Sequence, residues 1–122
     1  MITILLVDDQ PAIRRGLRMS LCLEPDCAVV GEADDGLTAL QLAPTLRPDV
    51  VVMDIEMPGM DGVTAATRLR TAAPHSAVVF LSLHDDLQTR TRALTAGAAF
   101  VGKHEDCRAL PAAIRRAASG KK

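Results

Sequence analysis

Five short runs of apolar, largely β-branched residues recur along the chain: Ile2 to Val7, Ala28 to Glu32, Val50 to Met53, Val78 to Leu81 and Ala98 to Val101. Each is strand-sized, and amphipathic stretches separate them. The runs are continuously apolar rather than alternating, which is the pattern of strands buried on both faces in a parallel sheet covered by helices. Strand and helix then alternate five times. Right-handed crossovers with helices on both faces make a doubly wound α/β sheet, and such sheets bind ligands at the carboxyl ends of their strands, near the topological switch point.

The connecting stretches read as helices. The first starts near Pro11, a residue suited to a first helical turn, and places Ile13, Leu17 and Leu21 on one face with Arg14, Arg15 and Arg18 elsewhere. A second, from Gly36 to Leu46, lines up Leu37, Leu40 and Leu46 before Pro48 stops it, and a third follows Asp61 and ends before Pro74. The fourth, Asp86 to Ala96, offers only Leu87 and Leu94 as large apolar anchors and carries three threonines, so it is expected to be the loosest. The fifth begins after Asp106 and packs Leu110 and Ile114 inward, with an irregular onset expected at Pro111.

A chain of 122 residues supports one domain with a real core. That domain is expected over residues 1–117, with 118–122 forming the start of a linker or a tail. Hydrophobic residues at 48% and charged residues at 24% exclude a disordered or fibrous chain. The formal net charge of -1, with interspersed signs, provides no field to gather nucleic acid. Phe80 and Phe100 are the only aromatic residues, too few for a base-stacking platform. No apolar run approaches the roughly 20 residues needed to span a bilayer, and no basic segment precedes an apolar one at the start. A cytoplasmic location without membrane contact is therefore expected, and Cys22, Cys27 and Cys107 read as reduced thiols.

At the ends of the expected strands stand Asp8 with Asp9, then Asp54, Ser82 and Lys103. Carboxylates brought together repel one another and call for a cation, and hard oxygen ligands suit Mg²⁺ or Mn²⁺. Mg²⁺ completes its shell with waters and phosphate oxygens, so a site of this kind is directed at phosphate. Lys103 brings a point charge and Ser82 a hydroxyl donor for phosphoryl oxygens. With an aspartate nucleophile these are the parts that phosphoryl transfer needs, and Asp54, centrally placed, is the candidate nucleophile.

The segments LLVDDQPAIRRGL, VVMDIEMPGMDG, LSLHDD and AGAAFVGK, in this order, resemble the receiver domain of bacterial two-component response regulators over essentially the whole chain. RRGL after the acidic pair, GEADDG, SLHDD and a lysine not followed by proline are most similar to receivers of the NarL/FixJ (LuxR-type) subfamily. The resemblance implies a flavodoxin-like sheet of order 2-1-3-4-5. It implies phosphorylation of Asp54 by a sensor histidine kinase. The metal would be held directly by Asp9, Asp54 and the main-chain carbonyl of Glu56, and by Asp8 largely through water. Ser82 and Lys103 would contact the phosphoryl group, with Ser82 and Phe100 as the switch pair acting on the surface of the fourth helix, fifth strand and fifth helix. It further implies self-association on phosphorylation and transcriptional output through a DNA-binding domain outside this chain, with no direct nucleic-acid contact by the chain itself.

Departures from the family pattern concern rate. His104 stands where many receivers have a proline, so a cis peptide is not expected there. Leu83 is bulkier than the usual alanine and is expected to slow exchange with small phosphodonors. Glu56 and His84 lie where side chains modulate the phosphoryl group's lifetime, Glu56 by charge repulsion or by orienting water.

Each residue taken singly has a purely structural explanation. Asp8 and Asp9 can end a strand and cap a helix, Asp54 and Lys103 can form an ion pair, and Ser82 can satisfy a backbone carbonyl. Their coincidence at one sheet edge favours chemistry. Alternatives are a metal-dependent phosphatase passing through an aspartyl phosphate, and a receiver-like module that works without phosphorylation. The first typically uses a DxD motif on an early strand, and the second usually lacks one of the acids or the lysine.

Overall fold

The computed structural model describes residues 1–57, 59–82, 87–95, 99–102 and 108–120. Chain order is β1 (Ile2–Val7), α1 (Pro11–Cys22), β2 (Cys27–Ala33), α2 (Gly36–Leu46), β3 (Val50–Asp54), α3 (Gly62–Ala72), β4 (Ala77–Ser82), α4 (Leu87–Thr95), β5 (Ala99–Gly102) and α5 (Ala109–Ser119). All strand pairs are parallel, in the order β2-β1-β3-β4-β5. This is the expected flavodoxin-like sheet, and its order reverses beside β1, so that the ends of β1 and β3 share the switch point.

In β1, β3 and β4 side chains alternate between the two faces of the sheet, whereas a register shift in the β1–β2 pairing puts Cys27 and Val29 on one face and Ala33 on the other. Leu5 and Val7 of β1, Val51 and Met53 of β3, and Val78 and Phe80 of β4 join one core cluster, covered by Ala39 and Ala43 of α2, Ala65 and Leu69 of α3, and Ala93 of α4. Ile4, Leu6, Val50, Val52, Val79 and Leu81 point the other way, onto Leu21 of α1 and Leu110, Ala113 and Ile114 of α5. Because both faces are covered, every residue of β3 is buried, which is why its sequence reads as an unbroken apolar run up to Asp54.

The helices depart from expectation in which residues they bury. On α2 the fully buried residues are Gly36, Ala39 and Ala43, with the expected Leu40 and Leu46 packed partly buried on the first cluster, while Leu37 is 56% exposed. A Cβ on Gly36 would lie 3.1 Å from the Cβ of Ala65, so α2 and α3 approach too closely for large side chains between them. On α4 neither leucine is an anchor: Leu87 and Leu94 are 81% and 67% exposed, and fully buried Ala93 faces the sheet. Seven positions apart, the two leucines share a face, and Ala93 lies about 100° round the helix from Leu94.

The onset of α5 also differs. Pro111 sits inside an unbroken helix whose next residue, Ala112, donates to the carbonyl of Arg108 at 3.2 Å. As third residue, Pro111 falls where an N–H has no partner within the helix, so the proline removes nothing. The helix runs through Ser119, with Ala118 packed on the second cluster, so these two residues are helical rather than tail. Cys22 and Cys27 are free thiols, and burial pushes the Cys27 thiol up. Cys107, and the peptide between Lys103 and His104, lie outside the described residues.

Aspartates serve the two ends of the sheet differently. At the amino end Asp49 is a structural clamp, accepting the Thr3 N–H at 2.9 Å and the Thr3 hydroxyl at 3.2 Å. The carboxyl end gathers a different set.

Candidate functional site

Asp8 follows β1 at once and keeps the sheet's direction, its N–H donating to the Ala33 carbonyl at 3.1 Å. Its carboxylate accepts the Gln10 N–H at 2.9 Å, and its carbonyl accepts Arg14 Nη1 at 2.6 Å. Asp8 is not the cap of α1: that position is Gln10, without a side-chain cap, followed by Pro11. Arg14 also pairs with Glu32 of β2 at 3.2 Å, and Arg18 pairs with the same carboxylate. The hydrogen bonds from Arg18 and then Arg14 hold Glu32 below the usual carboxylate range, against the opposing effect of burial. This grip fixes the start of α1, and with it Asp8 and Asp9, against the sheet.

Asp54 is the last residue of β3, and its Oδ1 accepts the Glu56 N–H at 3.0 Å. The chain leaves β3 still tied to β4, with the Ile55 N–H donating to the Leu81 carbonyl at 3.1 Å. The first turn of α3 returns against this exit. A Cβ on Gly62 would stand 2.7 Å from both the Asp54 carbonyl oxygen and the Ile55 Cα, so only glycine fits. Asp61 caps α3 by accepting the Thr64 N–H at 2.8 Å, a bond that lowers its pKa.

One carboxylate oxygen each from Asp8, Asp9 and Asp54 lie within 4.8 Å of one another, with Asp8 and Asp54 buried and Asp9 half-buried. Such a set of hard oxygen donors fits Mg²⁺ or Mn²⁺ and does not fit a soft metal. Ser82, at the end of β4, is fully buried, and its hydroxyl donates to Oε1 of Glu56 at 3.1 Å. Phe100 lies half-buried on β5, opposite Phe80 in register and packed on the first core cluster. The guanidinium of Arg90, on α4, sits 4.8 Å from the centre of its ring.

The structure thus brings Asp8, Asp9, Asp54, Glu56 and Ser82 to one edge and puts Phe100 on the neighbouring strand. Lys103, Leu83 and His84 lie outside the described residues. Three contacts escaped sequence reading: Arg90 on Phe100, Glu56 on Ser82, and Gly62 against Asp54. Only the last left a signal, a glycine directly after a capping aspartate.

The model of the response regulator receiver domain matches residues 4–115. The chain belongs to the receiver family. The receiver is 38% identical to the transcriptional regulatory protein DegU of Brevibacillus brevis, over 98% of this chain and 51% of that protein. It is 47% identical, over 78% of this chain, to a protein-glutamate methylesterase/protein-glutamine glutaminase of Myxococcus xanthus, covering 27% of that enzyme. The solved receiver domain of NarL from Mycobacterium tuberculosis superposes with a TM-score of 0.91 at 36% identity, covering 98% of each chain. The receiver is of the NarL/LuxR type, and it spans about half the length of DegU. Receiver domains bind Mg²⁺ at an acidic pocket and interact with histidine kinases, and the aspartate cluster here has that composition. Among the described residues no helix is long and apolar enough to cross a membrane.

Proposed function

We infer that this receiver accepts a phosphoryl group on Asp54 from a sensor histidine kinase. The observation that carries the reading is the convergence of Asp8, Asp9 and Asp54 within 4.8 Å at the switch point of the sheet. In the transfer, a carboxylate oxygen of Asp54 bonds to phosphorus as the phosphorus–nitrogen bond of a phosphohistidine breaks. The electron pair stays on the imidazole, and no redox change occurs. Asp8, Asp9, Asp54 and the main-chain carbonyl of Glu56 are the residues to hold Mg²⁺ or Mn²⁺. When bound, that metal neutralises phosphoryl oxygens.

The chain's own residues do the positioning. The bond from the Glu56 N–H fixes the plane of the Asp54 carboxylate, and burial of Asp54 limits water at the acceptor. Ser82 supplies a hydroxyl for one phosphoryl oxygen, and Lys103 is assigned another on the family resemblance. Movement of Ser82 would let Phe100 turn inward and change the surface of α4, β5 and α5, where Leu87 and Leu94 already stand exposed. Transcriptional output through a DNA-binding domain elsewhere in the full protein is supported by the kinship with DegU, a transcriptional regulatory protein, and self-association on phosphorylation is assigned on the family resemblance. Residues 1–119 would form the receiver unit and a cytoplasmic location would suit it.

The test is intact mass after incubation with acetyl phosphate, with Mg²⁺ and with a chelator in its place. One phosphoryl group gained only with the metal supports the reading. Sustained phosphate release from many monoesters would favour the phosphatase alternative, and no uptake from either a kinase or a small donor would favour a phosphorylation-independent module.

A further inference from the structure

Glu56 is bonded to two parts of the site at once. Its main-chain N–H donates to Asp54, and its side chain accepts the hydroxyl of Ser82, which lies 26 residues away in sequence on a different strand. The glutamate itself is exposed, whereas Ser82 is fully buried. A carboxylate reaching down from the surface to a buried hydroxyl makes a charge-assisted bond, the stronger kind. A serine hydroxyl has one proton to donate. It therefore cannot serve the Glu56 carboxylate and a phosphoryl oxygen on Asp54 together.

We propose that Glu56 is a positioning residue that holds the Ser82 hydroxyl in the unphosphorylated arrangement, so that phosphorylation must exchange one anionic acceptor for another. This deepens the assignment of Asp54 as phosphoacceptor and rests on it. The proposal gives Glu56 an effect that runs through hydrogen bonding to Ser82, distinct from repulsion between its charge and the phosphoryl group. Both effects oppose phosphorylation, but they depend on different properties of the side chain. Repulsion needs only the charge, and the hold on Ser82 needs the reach.

Two substitutions separate them. Glu56→Asp keeps the charge and withdraws the acceptor by one methylene, while Glu56→Gln keeps the reach and an acceptor oxygen without the charge. The experiment measures half-saturation by beryllium fluoride, a phosphoryl mimic, in the presence of Mg²⁺. Backbone amide resonances report binding in the wild type, both Glu56 variants, Ser82→Ala, and Ser82→Ala combined with Glu56→Asp. The expected result is that Glu56→Asp binds roughly 10- to 150-fold tighter, the worth of a hydrogen bond to a charged group. Glu56→Gln moves less than Glu56→Asp. In the Ser82→Ala background Glu56→Asp changes binding less than about 2-fold, because there is no hydroxyl left to hold.

A larger effect for Glu56→Gln than for Glu56→Asp would overturn the proposal in favour of charge repulsion. So would an effect of Glu56→Asp that survives in Ser82→Ala, or no effect of Glu56→Asp at all. These failures leave Asp54 untouched as acceptor if the wild type still gains a phosphoryl group there. A wild type that neither binds the mimic nor gains the group removes both readings.

Discussion

Gly62 lies so close to Asp54 that a Cβ in its place would stand 2.7 Å from the Asp54 carbonyl oxygen. Backbone atoms at that distance cannot yield cheaply, so Gly62→Ala must push α3 away from the end of β3. A loss of about 1–3 kcal/mol is expected, as for overpacking elsewhere. Gly16 provides the control, since it lies inside α1 with nothing within 4 Å of its missing Cβ. There alanine should add up to about 1 kcal/mol through helix propensity. Urea midpoints of the two variants should therefore move in opposite directions, and a stabilised Gly62→Ala would contradict the close approach.

Arg90 over Phe100 couples α4 to the strand that carries the expected switch residue. A partly exposed cation–π contact is worth about 0.5–1 kcal/mol. Because Arg90 has further interactions, single substitutions would mix several losses. A double-mutant cycle of Arg90→Gln and Phe100→Leu, read by urea denaturation, should return a coupling in that range. A coupling indistinguishable from zero would show that the ring and the guanidinium are neighbours without consequence.

Acid stability should depend on Arg115, on α5, which grips the turn between α1 and β2. Its Nε donates to Asp26 at 2.8 Å and its Nη2 reaches both Asp26 and Glu24. The Arg115 hydrogen bond lowers Asp26 to about 2, against roughly 3.9 for an unfolded aspartate. A depressed carboxylate stabilises the fold above the unfolded value, and loses that contribution as pH falls through the folded one. The gap in thermal midpoint between wild type and Asp26→Asn should thus be constant above about pH 4 and narrow toward pH 2. A gap that widens on acidification would reverse the sign and refute the assignment.

Replacing both Leu87 and Leu94 by glutamine should cost less than about 1 kcal/mol, since surface substitutions away from buried features seldom cost more. Ala93→Leu, which forces a larger side chain against the core, should cost about 1–3 kcal/mol. Thermal denaturation of the two variants decides which face of α4 is inward.

Much of this was legible in the sequence, for physical reasons that also mark where legibility ends. Strands buried on both faces must be apolar throughout, so β1, β3 and β4 are plain in the sequence, and the rule for carboxyl ends points to Asp8, Asp9 and Asp54. Hydrophobic periodicity failed where close packing selects small residues. Ala39, Ala43 and Ala93 are the fully buried contacts of α2 and α4; on α2 Leu40 and Leu46 still pack on the core beside them while Leu37 faces outward, and on α4, where Leu87 and Leu94 face outward, a search for large apolar residues picks the wrong face. The bond between Ser82 and Glu56 links two segments that nothing in local sequence brings together. Pro111 differs from expectation because the helix begins at Ala109, two residues before it, which turns a helix breaker into a harmless first-turn residue.

The central claim is that Asp54 receives the phosphoryl group. Intact mass spectrometry of wild type and Asp54→Asn, after incubation with acetyl phosphate and Mg²⁺, tests it most directly. The account predicts one added phosphoryl group on the wild type, lost when a chelator replaces the metal and absent from Asp54→Asn. An undiminished adduct on Asp54→Asn, or none on the wild type, would contradict it.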